Sequence, residues 1–172
     1  MSLKLHAEDH WCRLYVGDSR EYDRDDVDLV LTNPYGPLPD QLRSKDMILS
    51  HSVDRLDVVR EWARPDLHEI GRWNTGSAHG REQAVWSNLE IQPPDLEAQA
   101  PEMFEASAGW WPLDLPLRLL LSYDKCDRVV WDGFAGRGTT GRACQLLGLH
   151  FVGIDKDPAR VELMRRYLGV EG

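Results

Sequence analysis

Two short stretches of this chain combine residue types and spacings that suit chemistry on a bound ligand. The first reads Trp131-Asp132-Gly133-Phe134-Ala135-Gly136-Arg137-Gly138-Thr139-Thr140-Gly141. An apolar run (Val129–Trp131) enters this glycine-rich turn, and a helical pattern over Thr139–Leu147 leaves it. A second apolar run, His150–Ile154, then ends in Asp155, 17 positions beyond Gly138. Glycines let the backbone approach a ligand closely, and a helix N-terminus offers free N–H groups and partial positive charge. A carboxylate at the end of the next strand suits the paired hydroxyls of a ribose. The unit predicts a nucleoside-containing cofactor. Gly136, Gly138 and Gly141 also satisfy the dinucleotide pattern G-x-G-x-x-G in form. The glycines alone therefore leave a dinucleotide site or a plain structural turn open.

The second stretch is Asn33-Pro34-Tyr35-Gly36, at the end of the apolar run Val27–Thr32. An exocyclic amine on adenine or cytosine is a poor nucleophile, because its lone pair is delocalised into the ring. Two acceptors on its two N–H bonds pull the nitrogen towards tetrahedral geometry. The Asn33 side-chain oxygen and the Pro34 carbonyl can supply both, since proline brings an acceptor and no competing donor. Tyr35 can stack on a flat base. The gain from such a site is chiefly positioning. Taken alone, the same four residues serve equally as a turn.

The flank of the glycine turn, D-G-F-A-G-R-G-T-T, resembles D-P-F-A-G-S-G-T-T. That is the motif by which S-adenosylmethionine (SAM) methyltransferases of the DNA amino-group family hold their cofactor. Gly133 stands in place of proline and Arg137 in place of serine. Asn33-Pro34-Tyr35 is similar to the family's (D/N/S)-P-P-(Y/F/W) motif, with one proline and the aromatic one position early. Leu14–Ser19 resembles the strand-G-D-S segment before it, and Trp111–Leu120 the K-P-x-x-L-x-x-x-L-I motif that walls the SAM pocket. The acceptor motif precedes the cofactor motif, which is the permuted order of the β class. The matching stretches, residues 11–36 and 110–168, cover about 85 of 172 positions.

This resemblance implies an α/β, Rossmann-like SAM-dependent methyltransferase fold with a mostly parallel sheet and circularly permuted motifs. It implies methyl transfer from SAM to an exocyclic amine of a DNA base, adenine N6 ahead of cytosine N4, with the base flipped out. Asn33 and Pro34 would activate the amine and Tyr35 would stack. Phe134, Ala135, Gly136, Gly138, Thr139 and Asp155 would hold SAM, with Asp18, Pro112 and Asp132 nearby. No metal is implied. The rival readings are a methyltransferase on RNA or protein, and an inactive methyltransferase-like binding or inhibitor protein.

The elements that must position these residues fall into three regions. Trp11–Val16 and Val27–Thr32 read as strands, the second apolar enough to be buried on both faces. Residues 36–110 are broken by prolines and glycines, with an amphipathic helix over Val53–Ala63 and a strand over Ala84–Ile91. Gln92–Ala108 reads as an acidic, proline-bearing linker. A helix over Leu115–Ser122, the strand-turn-helix-strand unit and a helix over Pro158–Leu168 close the chain, Pro158 suiting a helix start. Asp18, Asn33, Gly136 and Asp155 all follow strands, so in a parallel sheet all face one edge. The whole reads as a single domain, with residues 37–109 a variable insertion for target recognition or oligomerisation. That insertion is short, so either the sheet has a reduced strand number or recognition is minimal. A homodimer or partner subunit would then complete recognition.

The chain has 172 residues, 42% hydrophobic and 28% charged, as in ordinary globular domains. No apolar run suits a membrane span or a signal peptide, and three cysteines without C-x-x-C spacing suit a reducing cytoplasm. Cys144 reads as a small buried side chain. His51, His68 and His79 lack metal-ligand spacing. Trp73, Trp86, Trp110 and Trp111 read as packing residues ahead of base-stacking ones. The net charge of −9 argues against a broad nucleic-acid footprint, yet residues 128–172 carry seven basic and five acidic side chains. Contact with DNA would come from the glycine-turn face and the middle segment. Arg137 reads either as exposed or as reaching a phosphate or the SAM carboxylate. Arg43, Arg72 and Arg81 read as a solvated face ahead of phosphate contacts.

Overall fold

The structure is a computed structural model and describes residues 2–52, 66–74, 82–91, 113–123 and 127–171. The strands are β1 (Lys4–Glu8), β2 (Cys12–Val16), β3 (Leu29–Thr32), β4 (Asp46–Ser52), β5 (His68–Asn74), β6 (Glu82–Ser87), β7 (Val129–Asp132) and β8 (His150–Asp155). They form one sheet in the order β1-β2-β8-β7-β3-β4-β6-β5. The run from β2 to β4 is parallel throughout. β1 pairs antiparallel with β2, and β6 antiparallel with β4 and β5. The α/β, mostly parallel sheet expected from the sequence is present, with an antiparallel portion at each edge. The reduced strand number is corrected: residues 46–87 supply three strands to an eight-stranded sheet.

Side chains alternate across the sheet and both sets are buried. Leu29, Leu31, Val130 and Phe151 face the helices α1 (Asp114–Tyr123), α2 (Thr139–Leu147) and α3 (Pro158–Leu168), meeting Leu119, Cys144, Val161 and Met164. Val30, Met47, Trp131, Val152 and Ile154 pack on the opposite face with Tyr22, Leu38 and Leu42. Strands covered on both faces read as continuous apolar runs, which is why β3 and β8 are legible in the sequence. Cys144 is fully buried, as its small side chain suggested.

Element ends follow from local chemistry. The Asp157 carboxylate accepts from the Ala159 N–H, and Pro158 opens α3. β3 begins at Leu29, two residues later than the sequence suggests. Asp28 instead accepts from the Val129 N–H and from Arg128, holding the start of β7. β6 ends at Ser87 because side chains replace the ladder there: Asn88 accepts from the Met47 N–H, and Ser87 donates to the Met47 carbonyl. The expected helix over Val53–Ala63 and the linker over Gln92–Ala108 lie outside the described residues, as do Pro112, His79, Arg81, Trp110, Trp111 and the side chain of Trp73. Among the described residues no helix is long and apolar enough to cross a membrane.

Candidate active site

β7 lies between β8 and β3, where the order of strands reverses, and ligands of open parallel sheets sit beyond the carboxyl ends of strands at such a point. The glycine turn leaves β7 there. Gly136 and Gly138 take positive φ angles of 56° and 90°, and Gly138 caps α2 without any side-chain hydrogen bond to the helix amides. A Cβ on Gly138 would stand 2.6 Å from Met164 Cγ, so the turn must pack tightly on α3. The first amides of α2 have no partner within the helix, and the turn supplies no side-chain acceptor for them.

Asp155 closes the turn from the end of β8. Its carboxylate accepts from the Gly136 N–H at 3.0 Å and from the Asp157 N–H at 2.9 Å, while the Ala135 N–H donates to the Ile154 carbonyl. Phe134 is half-buried, and Ala135 and Thr139 are buried. Asp18 follows β2 on the same edge, yet its carboxylate is engaged by the Arg20 side chain and amide. That guanidinium holds it down to about 2.

Asn33, Pro34 and Tyr35 follow β3, the other neighbour of β7. The Asn33 Oδ1 is buried, and no donor among the described residues reaches it. An unpaired buried acceptor is costly and calls for a partner. Tyr35 is 62% exposed and lies edge-on to Phe134, ring centroids 6.3 Å apart. It also lies beside the His51 ring, 6.0 Å away on β4. The acceptor motif therefore touches the cofactor-type turn across nearly a hundred residues of sequence.

A buried hydrogen-bond chain joins the same two motifs. Thr32 Oγ1 donates to Asp132 Oδ1 at 2.6 Å, and Thr140 Oγ1 donates to Asp132 Oδ2 at 2.7 Å. The Phe134 N–H adds a third donor at 3.0 Å. Asp132 is 3% exposed, and burial pushes its carboxyl up to about 6 against the pull of these donors, with Asp155 adding to the rise.

The family model described as DNA methylase matches residues 30–166. The chain belongs to the DNA methylase family. Among its relatives is the type II methyltransferase M.HindIII of Haemophilus influenzae, 30% identical over 106 residues, which are 60% of this chain and 33% of that one. Another is M.HinfI of Haemophilus influenzae, 30% identical over 88 residues, 51% of this chain and 24% of that one. The chain thus spans a third or less of those relatives. Of solved structures, the M1.HpyAVI–SAM complex superposes with TM-score 0.65 at 19% identity, covering 91% of this chain and all of that one. The cytosine-N4-specific PvuII DNA methyltransferase gives TM-score 0.62 at 13% identity, over 90% and 85%. These two likenesses show the fold of a DNA methylase.

Several residues around this candidate site are not legible in the sequence. Thr32 carries a visible signal, a hydroxyl ending an apolar buried strand, but its partner Asp132 lies a hundred residues away, whereas Thr140 reaches the same carboxylate from eight residues on. His51 is 4% exposed beside Tyr35, one strand over from the acceptor motif. Trp131 explains a departure from the motif: a Cβ on Gly133 would stand 2.1 Å from its ring, so proline has no room there. Trp86 packs in the core, whereas Arg43 and Arg72 form exposed ion pairs with Asp40 and Glu69.

Proposed function

We propose that this protein transfers a methyl group from SAM to an exocyclic amine of a DNA base, adenine N6 ahead of cytosine N4. The observation that carries the reading is the buried, unpaired Asn33 Oδ1 beside a Tyr35 ring that rests on the cofactor-type turn. An amine hydrogen satisfies that oxygen, the Pro34 carbonyl can take the second hydrogen, and the exposed Tyr35 ring suits a flat base. Asn33 and Pro34 are the catalytic residues in this reading.

The residues present fit SAM. Glycines at positive φ leave the backbone bare, the start of α2 lacks a side-chain cap, and Asp155 keeps spare lone pairs beside the turn. Phe134, Ala135, Gly136, Gly138, Thr139 and Asp155 would hold it, with Asp18 and Pro112 nearby. SAM would supply a sulfonium methyl as the electrophile. Target recognition falls to a second copy of the chain or to a partner subunit, which light scattering with and without DNA measures.

The test is label transfer from tritiated SAM to duplex DNA, RNA and protein, followed by mass spectrometry of the digested nucleosides. N6-methyladenine is expected. N4-methylcytosine corrects the choice of base, and label confined to RNA or protein overturns the substrate. SAM binding with no acceptor modified favours a binding protein.

A further inference from the structure

Three elements converge on a single carboxylate in this molecule. Asp132 ends β7, accepts from Thr32 at the end of β3, from the Phe134 amide in the glycine turn and from Thr140 in the first turn of α2. Thr32 is 0% exposed and Thr140 is 1% exposed, so neither hydroxyl has water as an alternative partner. Thr32 immediately precedes Asn33, and Thr140 immediately follows Thr139 of the cofactor-type turn.

A carboxylate sealed from solvent is costly, and a core of apolar side chains is usually at least as stable. Its use here needs a reason beyond holding the sheet together. Asp132 is too buried to meet a ligand, so it acts through its three donors. Hydrogen bonds to an ionised oxygen are short and stiff, which suits fixing one element against another.

We propose that Asp132 is a positioning residue that couples the two motifs: a ligand that orders the glycine turn and the start of α2 thereby sets the angle of Asn33 at the end of β3. This rests on the SAM reading above and names a coupling within that site. Coupling of this kind is reciprocal, so acceptor binding tightens SAM to the same degree.

The experiment uses the full chain, and its deciding readout does not depend on turnover. Asparagines occur only at positions 33, 74 and 88, so the Asn33 side-chain amide is readily assigned in a nitrogen–proton NMR spectrum. SAM is titrated into the wild type and into Thr32→Val, Thr32→Ser and Thr140→Val, with affinity measured in parallel by calorimetry. In the wild type SAM should shift the Asn33 amide. Thr32→Val should bind SAM within about threefold of the wild type, yet lose most of that shift and at least tenfold in kcat on DNA. Thr32→Ser, which keeps the hydroxyl, should restore both. Thr140→Val should weaken SAM binding, and its effect on kcat should not multiply with that of Thr32→Val. Should Thr32→Val fail to fold, Thr140→Val reads the same coupling from the other end, through a diminished Asn33 shift at saturating SAM. An Asn33 shift in either folded valine variant equal to that of the wild type overturns the coupling, even if melting temperature falls. A wild type that binds no SAM instead sinks the underlying reading, and the coupling with it.

Discussion

At the scale of single residues, Gly133 and Trp131 form a pair. The Trp131 ring occupies the space that a side chain on Gly133 needs. Gly133→Pro should therefore cost about 1–3 kcal/mol by urea denaturation, as overpacked positions do. In a Trp131→Leu background the same change should cost much less, and equal costs in both backgrounds would refute the pairing. Asp132 makes a second residue-scale expectation. Its folded carboxyl sits near 6 against an ordinary 3.8, so the folded chain holds this proton more tightly than the unfolded one. Stability from this group is complete below about pH 4 and is lost as pH rises through 6. The unfolding free energy of the wild type minus that of Asp132→Asn should fall by roughly 2 kcal/mol between pH 4 and 7. Asp18, held low by Arg20, works in the opposite sense and only under more acid conditions. A flat difference across that window would show that Asp132 is ionised throughout.

At the scale of elements, α2 depends on glycine at its start for a different reason than at its end. Gly138 has φ of 90° and no room beside Met164, whereas Gly148 has φ of 68° and open space around it. Gly148→Ala should cost only the strain of a left-handed alanine, about 1–2 kcal/mol. Gly138→Ala should cost more and should also weaken SAM binding, read by thermal shift and calorimetry on both variants. The bounds of α2 and α3 were legible because glycines, a proline and a capping Asp157 mark them. β3 and β8 were legible as apolar runs. β1, β4 and β5 were not: β1 is a mostly exposed edge, β4 mixes polar residues into a short apolar run, and β5 is polar with Gly71 inside it. The candidate site was legible where one local motif carries it, in Asn33–Tyr35 and Phe134–Thr139. The Thr32–Asp132–Thr140 chain was not, because only the pairing of β3 with β7 brings Thr32 to the local Asp132–Thr140 pair.

At the scale of the whole molecule, charge sets the terms of any encounter with DNA. The chain carries −9, while its last 45 residues carry +2. Among the described residues, Arg137 and Lys156 are exposed on the site's edge without a carboxylate partner. If these two cations carry the contact, the logarithm of DNA affinity should fall with the logarithm of salt at a slope of about −2. A much steeper slope, measured by anisotropy across salt concentrations, would mean that a broader basic surface is engaged. The pairing of β3 with β7 also has a bearing on biosynthesis. β3 leaves the ribosome early, yet the strand it must lie against is made roughly a hundred residues later. Until then a nascent chain exposes an apolar strand with no neighbour on that side, and holds no site for donor or acceptor. Chains released before β7 is made should thus lack the site and be prone to aggregate, because the strand that joins the two motifs to one edge is still missing.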